Sequence, residues 1–217
     1  MPCECYLAAY LGLWQLLGNS PRTVAFDIDR WANDSWGLLN IERDQISGTV
    51  AVAGDGSRAT VATSTQFKHY FIPSGQWAVH SIYLRPADIA YQVDDQTKTT
   101  TILRCTCTWQ APIQPSPDQE CKAAAKFHLG ASVRIGSGVV AGVSVVRYRA
   151  TGDKDRDEHE AAFAPRLGCD LLEERSATYN TIGLPATRFH YIVRSYLRGE
   201  PRKESFYPPL GSVVRRK

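Results

Sequence analysis

Three aspartates in a short charged stretch are the residues of this sequence whose spacing comes nearest to a metal site. Asp153, Asp155 and Asp157 alternate along the chain, and calcium loops place oxygen ligands at alternate positions. The sixth position of such a loop needs glycine for its sharp turn, but Glu158 stands there. Two basic residues between the aspartates also reduce the negative charge. The stretch therefore predicts a solvated hairpin tip, and we assign no metal ligands.

The histidines and hydroxyl residues do not form a recognisable catalytic motif. None of the five histidines stands at helical or strand spacing from another; they are His69, His80, His128, His159 and His190. The sequence has no G-x-S-x-G elbow and no G-x-x-x-x-G-K phosphate loop. Segment 135–138 is a lone G-x-G that lacks a following helix, and it predicts a turn. No catalytic residue and no cofactor is assigned, and a hydrolytic site of unrecognised type stays as an alternative.

Four of the six cysteines are candidates for disulfide bonds, namely Cys105, Cys107, Cys121 and Cys169. A C-x-C pair followed 14 residues later by one cysteine, with no histidine at ligand spacing, is a poor zinc site. An even number of cysteines fits two disulfides in an oxidising compartment, and the alternative is four buried thiols. The favoured bridge joins Cys105 or Cys107 to Cys121 across the proline-rich segment 110–120. The remaining cysteine would reach Cys169 or stay free.

An uncharged apolar run near the N-terminus indicates export. Residues 6–18 (YLAAYLGLWQLLG) are too few to span a bilayer but match the apolar part of a secretory signal peptide. Small residues at Gly18-Asn19-Ser20 fit a cleavage site, although Met1 to Cys5 includes no basic residue. The alternative is an N-terminal helix, which could also associate with a membrane. We expect a periplasmic or extracellular protein of the bacterial envelope, with residues 1–20 outside the folded domain.

Length and composition exclude several classes of protein. The chain has 217 residues, 43% hydrophobic and 22% charged, which is typical of a globular domain and not of a disordered or fibrous chain. This length suits one larger domain. The net charge of +3 is too small to indicate a nucleic-acid partner. We expect a single β-rich domain over residues 21–211 and a loose basic tail at 212–217.

The polar and apolar pattern predicts one strand after another. Segment 22–30 alternates at Val24, Phe26 and Ile28, as a half-buried strand does. The segments on either side of Gly54-Asp55-Gly56 predict a hairpin, since these residues accept the backbone of tight turns. Further strands are expected at 80–84, 88–93, 98–104, 138–150, 157–163, 169–178 and 187–197.

Helix signals are confined to one short segment in the middle of the chain. Residues 121–129 (CKAAAKFHL) consist of good helix formers, and Gly130 would end the helix. The fold class predicted is mainly β, an antiparallel sheet with one or two short helices packed on it.

The C-terminal third resembles a known group of proteins. The segments VVAGVSVVRY at 139–148, APRLGC at 164–169, RGEP at 198–201 and FYPP at 206–209 follow one another in this order. This series resembles exported bacterial proteins of uncharacterised role that are related to the outer-membrane lipoprotein-sorting (periplasmic lipoprotein carrier) superfamily. The resemblance implies a curved antiparallel half-barrel with an apolar concave face, and a lipid or lipoprotein as partner.

Two functions follow as expectations. The first is a non-enzymatic exported protein that binds an apolar ligand, lipid or lipoprotein in the curved sheet. Strand aromatics could line such a site or simply fill the core; they are Trp77, Tyr83, Tyr91, Trp109, Phe189 and Tyr191. The second is an envelope interaction protein without a ligand cavity, which binds its partner through a sheet edge. A cavity of roughly 300 Å³ or more, lined by apolar residues, would favour the first.

Overall fold

A computed structural model describes residues 21–33, 41–68, 72–104, 120–151 and 157–216. Within these ranges the chain forms twelve strands and one α-helix, and the mainly β fold class is confirmed. The strands are β1 Arg22–Asn33, β2 Ile41–Val52, β3 Arg58–Lys68, β4 Ile72–Leu84, β5 Ile89–Asp94, β6 Thr99–Arg104, β7 Ser132–Val140, β8 Val143–Ala150, β9 Glu158–Ala164, β10 Asp170–Tyr179, β11 Pro185–Arg198 and β12 Val213–Arg216. The helix α1 spans Lys122–Leu129.

All twelve strands belong to one sheet, in the order β12-β6-β5-β4-β3-β2-β1-β11-β10-β9-β8-β7. Each adjacent pair is antiparallel except β12 and β6, which are parallel. The sheet is open and curved, and its edge strand β7 comes into contact with β11. The half-barrel that the sequence predicted is therefore present, and it is not closed.

The central strand β1 shows why the sheet has two different faces. Val24, Phe26 and Ile28 are buried, while the residues between them are partly exposed. Because successive side chains of a strand point to opposite faces, one face of the sheet is apolar and the other is polar. We call the face that carries Phe26 the inner face and the opposite one the outer face.

A glycine in β2 allows close packing at the centre of the inner face. Gly48 lies directly opposite Phe26 on one side and Ala62 on the other. A Cβ atom at position 48 would lie 2.5 Å from the carbonyl oxygen of Val61 and 2.6 Å from the Cβ of Ala62. Glycine is therefore the residue that fits here, because β2 and β3 approach each other closely at this point.

The region 132–150 differs from the sequence prediction. A single strand over 138–150 was expected, but β7 ends at Val140 and β8 begins at Val143. Ala141 and Gly142 have φ of 50° and 76° and make a two-residue hairpin turn. The dense β-branched residues do form strands, but they form two of them. The G-x-G at 135–138, predicted to be a turn, lies inside β7, where the register with β8 shifts.

Other turns are as predicted, and the C-terminal tail is not. The Gly54-Asp55-Gly56 hairpin joins β2 to β3, and a 3₁₀ turn at Pro165–Leu167 joins β9 to β10. The tail was expected to be loose, but β12 adds a parallel strand to β6. Valines at the start of β12 have the β-branched side chains that favour strands, and this pairing supplies their backbone partners.

Candidate functional site

Most of the inner face is apolar. Its buried side chains come from every strand between β4 and β8 in the sheet order and form a single cluster. Representative members are Val79, Ala62, Ile46, Val50, Val24, Phe26, Ile28, Tyr191, Val193, Leu171, Phe163 and Tyr148. These eight strands lie about 4.8 Å apart, so the apolar surface is roughly 34 Å wide.

The helix α1 packs at one end of this surface. Ala124, Ala125 and Leu129 are its buried residues, and its contacts are with β7, β8 and β9. The ring of His128 lies 5.6 Å from the ring of Phe163 on β9. An eight-residue helix is about 12 Å long and about 10 Å wide. α1 is therefore much smaller than the apolar surface on which it lies.

A disulfide bond fixes the start of α1 to the sheet. Cys121 immediately precedes the helix and is bonded to Cys169, which immediately precedes β10, with 5.4 Å between their Cα atoms. The predicted bridge from Cys105 or Cys107 to Cys121 is therefore wrong, because Cys121 has a different partner. The sequence spacing favoured a local loop, whereas the fold brings the helix to the distant turn before β10. Cys105 and Cys107 lie outside the described residues.

A buried ionic cluster lies within this mostly apolar region. Arg22 is fully buried, and its Nη1 atom lies 3.1 Å from Oδ2 of Asp170, which is 5% exposed. The hydroxyl of Tyr196 donates a hydrogen bond of 2.8 Å to the same Asp170 oxygen. Burial and the negative charge of Asp170 raise the pKa of Tyr196. Arg58 on β3 is also buried, and this burial together with the charges of Arg22 and Arg85 lowers the pKa of Arg58 to about 10.

Tyr191 has a polar atom that the described structure leaves without a partner. The side chain is fully buried, with its ring centroid 6.2 Å from that of Phe26. It lies opposite Ile28 on β1 and Glu174 on β10. Its hydroxyl has no hydrogen-bond partner among the described residues. Burial raises the pKa of this phenol. The positive charge of Arg22 opposes this shift, and the carboxylates of Asp170 and Glu174 add to it, so the group keeps its proton.

Two histidines lie where α1 meets the inner face. His159 Nε2 is 2.8 Å from Oε1 of Glu174. Burial lowers the pKa of His128, the charge of Glu174 opposes this shift, and the nearby His159 adds to it. The His159–Glu174 pair therefore joins β9 to β10 close to His128 of α1.

The outer face carries a network of charges centred on Glu173. This carboxylate is 3% exposed and is bonded to Arg147 at 2.7 Å, to Arg175 and to His190 at 3.3 Å. Burial alone would raise the pKa of Glu173, but the hydrogen bond and charge of Arg147, with Arg175 and His190, outweigh burial and lower it. Asp29 on the neighbouring β1 receives two bonds from Arg43, of 2.8 and 2.6 Å.

A half-open trough of about 500 Å³ lies beside this network, across β1, β11, β10 and β9. The guanidinium of Arg188 lies over the Trp31 ring, 5.2 Å from its centroid. Ala177 separates Arg188 from Glu158 in the same cross-strand row. Neither Arg188 nor Glu158 has an ion pair within the part of the chain that the structure describes.

Several polar side chains border the trough. It includes His190, carboxylates and the phenol of Tyr179, and Ser176 also borders it. Among the described residues no hydroxyl is hydrogen-bonded to a histidine. In the same part of the chain no three His, Cys, Asp or Glu side chains are grouped to hold a metal ion. Most of the predicted hairpin tip at 152–158 lies outside the described residues, but the backbone N–H of Tyr179 donates to Asp157.

The aromatic residues selected in the sequence analysis lie on both faces of the sheet. Trp77 and Phe189 pack against the inner cluster with Tyr191, while Tyr91 belongs to a smaller cluster on the outer face, which Phe206 covers. The hydroxyl of Tyr83 donates a hydrogen bond of 3.1 Å to Oδ1 of Asp88. Trp109 lies outside the described residues.

The residues of the buried ionic cluster were not found by sequence reasoning. Arg22 and Asp170 are the first residues of β1 and β10, and a charged residue at the end of a strand is usually predicted to be exposed to solvent. Only their pairing across strands far apart in sequence shows that they are buried. Asp170 directly follows the Ala-Pro-Arg-Leu-Gly-Cys turn, and this position was the one sequence feature that could have drawn attention to Asp170.

The N-terminal run at 6–18 lies outside the described residues. No helix in the described ranges has the length and apolar character needed to cross a bilayer.

No family model matches this chain, and no curated protein matches it. Several solved structures do. The MucA/MucB complex of Pseudomonas aeruginosa has 15% identity and a TM-score of 0.42, and the match covers 93% of this chain and 60% of that one. LprF from Mycobacterium bovis has 10% identity and a TM-score of 0.44, with 98% and 100% covered. The LolA superfamily protein NE2245 from Nitrosomonas europaea has 8% identity and a TM-score of 0.28, with 92% and 97% covered.

This chain thus spans 60% of the length of that MucB chain. A lipoprotein-sorting domain from Vibrio parahaemolyticus is also among the similar structures.

Proposed function

We propose that this protein is a non-enzymatic binding protein of the bacterial envelope, which holds the acyl chain of a lipid or lipoprotein against the inner face of its sheet. The observation that carries the proposal is the size of the apolar inner face relative to α1. The face is roughly 34 Å wide, and α1 covers only its β7–β9 end. We propose that an acyl chain lies against the remaining strands.

The favourable free energy of such binding comes from burying the methylene groups of the acyl chain. Each buried methylene contributes about 0.8 kcal/mol, so a chain of about 14 methylenes contributes roughly 11 kcal/mol when it is fully buried. That gain is comparable to the cost of about 4–15 kcal/mol for the lost freedom of the ligand. At its centre the inner face supplies aliphatic and aromatic contacts, as Val24, Phe26 and Val193 illustrate.

The envelope location is part of the proposal. It is supported by the apolar run at 6–18 and by the Cys121–Cys169 bridge, because disulfides persist in oxidising compartments. N-terminal sequencing of protein from the envelope fraction of its host should find a processed chain. An intact Met1 on a purely cytosolic species would contradict the proposal.

The binding function is tested by lipid extraction and mass spectrometry of the purified protein. We expect acyl lipids to be recovered in a fixed ratio to protein. Trp77→Ala, on the inner face, should lower that ratio, while Tyr91→Ala removes an aromatic of similar burial from the outer face and should not. Parent protein that holds no lipid, and takes up none from mixed micelles, would show the carrier proposal to be wrong.

A second candidate function, docking of a polypeptide partner, is favoured by the outer trough. Arginine and tryptophan are frequent among the residues that dominate binding energy at interfaces, and Arg188 lies on Trp31 with its N–H groups available. A photo-crosslinking residue in place of Glu158 should capture one defined partner in the host envelope. The same residue at Thr49, exposed on the outer face away from the trough, serves as control. Equal capture at both positions would argue against a site in the trough.

A further inference from the structure

We propose that the hydroxyl of Tyr191 donates a hydrogen bond to the acyl carbonyl of the bound lipid, so that the inner face selects chains linked by an ester over chains linked by an ether. This inference rests on the proposed function. It assigns a specific donor on the sheet and a chemical class to the ligand, neither of which follows from the apolar face alone.

The first support is the state of the hydroxyl itself. Tyr191 is fully buried, and its hydroxyl has no hydrogen-bond partner among the described residues. Buried polar groups in native proteins nearly always have a partner, so a group left without one points to a molecule that supplies it. Phenylalanine would fill the same space without this cost, so the packing of the core alone does not explain a tyrosine here.

The second support is the charge of the surroundings, which selects the kind of acceptor. The charge of Arg22 acts on the phenol, and this cation is paired with the carboxylate of Asp170 at 3.1 Å. Glu174, directly opposite on β10, brings a second carboxylate into the same region. A carboxylate or phosphate on the ligand would be repelled by these two groups. The fitting acceptor is therefore neutral.

The third support is position. Tyr191 lies on β11 opposite Ile28 of β1, and its ring is close to that of Phe26, so the β1 side of the phenol is apolar. A neutral acceptor that reaches this depth must be attached directly to an apolar chain. The carbonyl of an acyl ester has this property, because its carbon is the first carbon of the fatty acyl chain.

The experiment offers the protein two lipids that differ only in this carbonyl. Equal amounts of dipalmitoyl phosphatidylglycerol and its dihexadecyl ether analogue are presented in mixed micelles, and the protein is repurified and its lipids are quantified by mass spectrometry. We expect the parent to prefer the ester by about 3- to 10-fold, as one buried hydrogen bond predicts. Tyr191→Phe should bind both lipids with a ratio near one.

Tyr196→Phe is the matched control, because it removes a phenol whose hydroxyl is already bonded to Asp170 and leaves Tyr191 intact. It should keep the preference for the ester. Equal binding of both lipids by the parent would overturn the inference and leave the carrier function standing, whereas binding of neither lipid would overturn the carrier function itself. A preference that persists in Tyr191→Phe would show that another group is the donor.

The melting temperature gives a readout that does not depend on the ligand. Removing an unsatisfied hydroxyl should leave the melting temperature of lipid-free Tyr191→Phe equal to that of the parent or higher. A clear decrease would show that the hydroxyl has a partner within the protein, and it would overturn the inference.

Discussion

Loss of the Cys121–Cys169 bridge should destabilise the protein strongly under oxidising conditions. The two cysteines are 48 residues apart in sequence. In the chain-entropy description, a closed loop of this length lowers the entropy of the unfolded chain enough to contribute about 4 kcal/mol at room temperature. For a chain of this size each kcal/mol changes the melting temperature by about 2–4 °C, so Cys169→Ala should melt roughly 8–16 °C lower than the parent.

Differential scanning calorimetry with and without a strong reductant measures this effect. In reductant the parent loses the bridge, so parent and Cys169→Ala should melt within a few degrees of each other. The control variant carries Cys105→Ala and Cys107→Ala, which leave the bridge intact, and it should melt like the parent when oxidised. If this double variant lost stability and Cys169→Ala melted like the parent, the local pairing suggested by sequence spacing would be correct and the Cys121–Cys169 bridge would not.

Three further outcomes follow from the packing and the charges. Asp170→Asn removes the carboxylate that lies 3.1 Å from the fully buried Arg22 guanidinium, and urea denaturation should show a loss of about 3–5 kcal/mol. Glu160→Gln breaks a more exposed ion pair and should cost less than about 1 kcal/mol. The pKa of Glu173 in the folded protein lies below its ordinary value of 4.5, so its stabilising contribution is present above that pH and is lost as the pH falls through the folded pKa. The difference in urea midpoint between the parent and Glu173→Gln should therefore be large at neutral pH and small in strong acid, and an unchanged difference would contradict this assignment. Gly48→Ala should lose roughly 1–3 kcal/mol, because its Cβ would lie 2.5 Å from a backbone oxygen, and an unchanged melting temperature would show that β2 and β3 can separate freely at this point.

Local patterns predicted most of the strands because each strand shows its period and its turn residues within a few positions. The alternation over 22–30 and the Gly54-Asp55-Gly56 turn are of this kind, and both are present. The hairpin between β7 and β8 was missed, since Ala141 resembles its apolar neighbours and only its positive φ reveals a turn. Nothing in the local pattern of the tail indicated that β12 would find β6 as its partner.

The candidate site depends on contacts that local patterns do not encode. Tyr191 was recognised only as one aromatic among several, and its lack of a hydrogen-bond partner is a property of the assembled inner face. The Arg22–Asp170 pair joins the first described strand to the tenth. Likewise, the partner of Cys121 was decided by where α1 lies on the sheet and not by the number of residues between cysteines.

The position of β1 has a consequence for how the protein is made. Strands β1 to β6 can pair in the order of their synthesis, and so can β7 to β11, but the two groups meet only where β1 pairs with β11. During synthesis the free edge of β1 therefore stays open until Pro185–Arg198 has emerged. A chain cut short before this point would present an unpaired strand with Val24, Phe26 and Ile28 on one face, which is a template for aggregation. Premature termination should thus yield insoluble fragments, and a β11 segment supplied separately could restore their solubility by occupying the open edge.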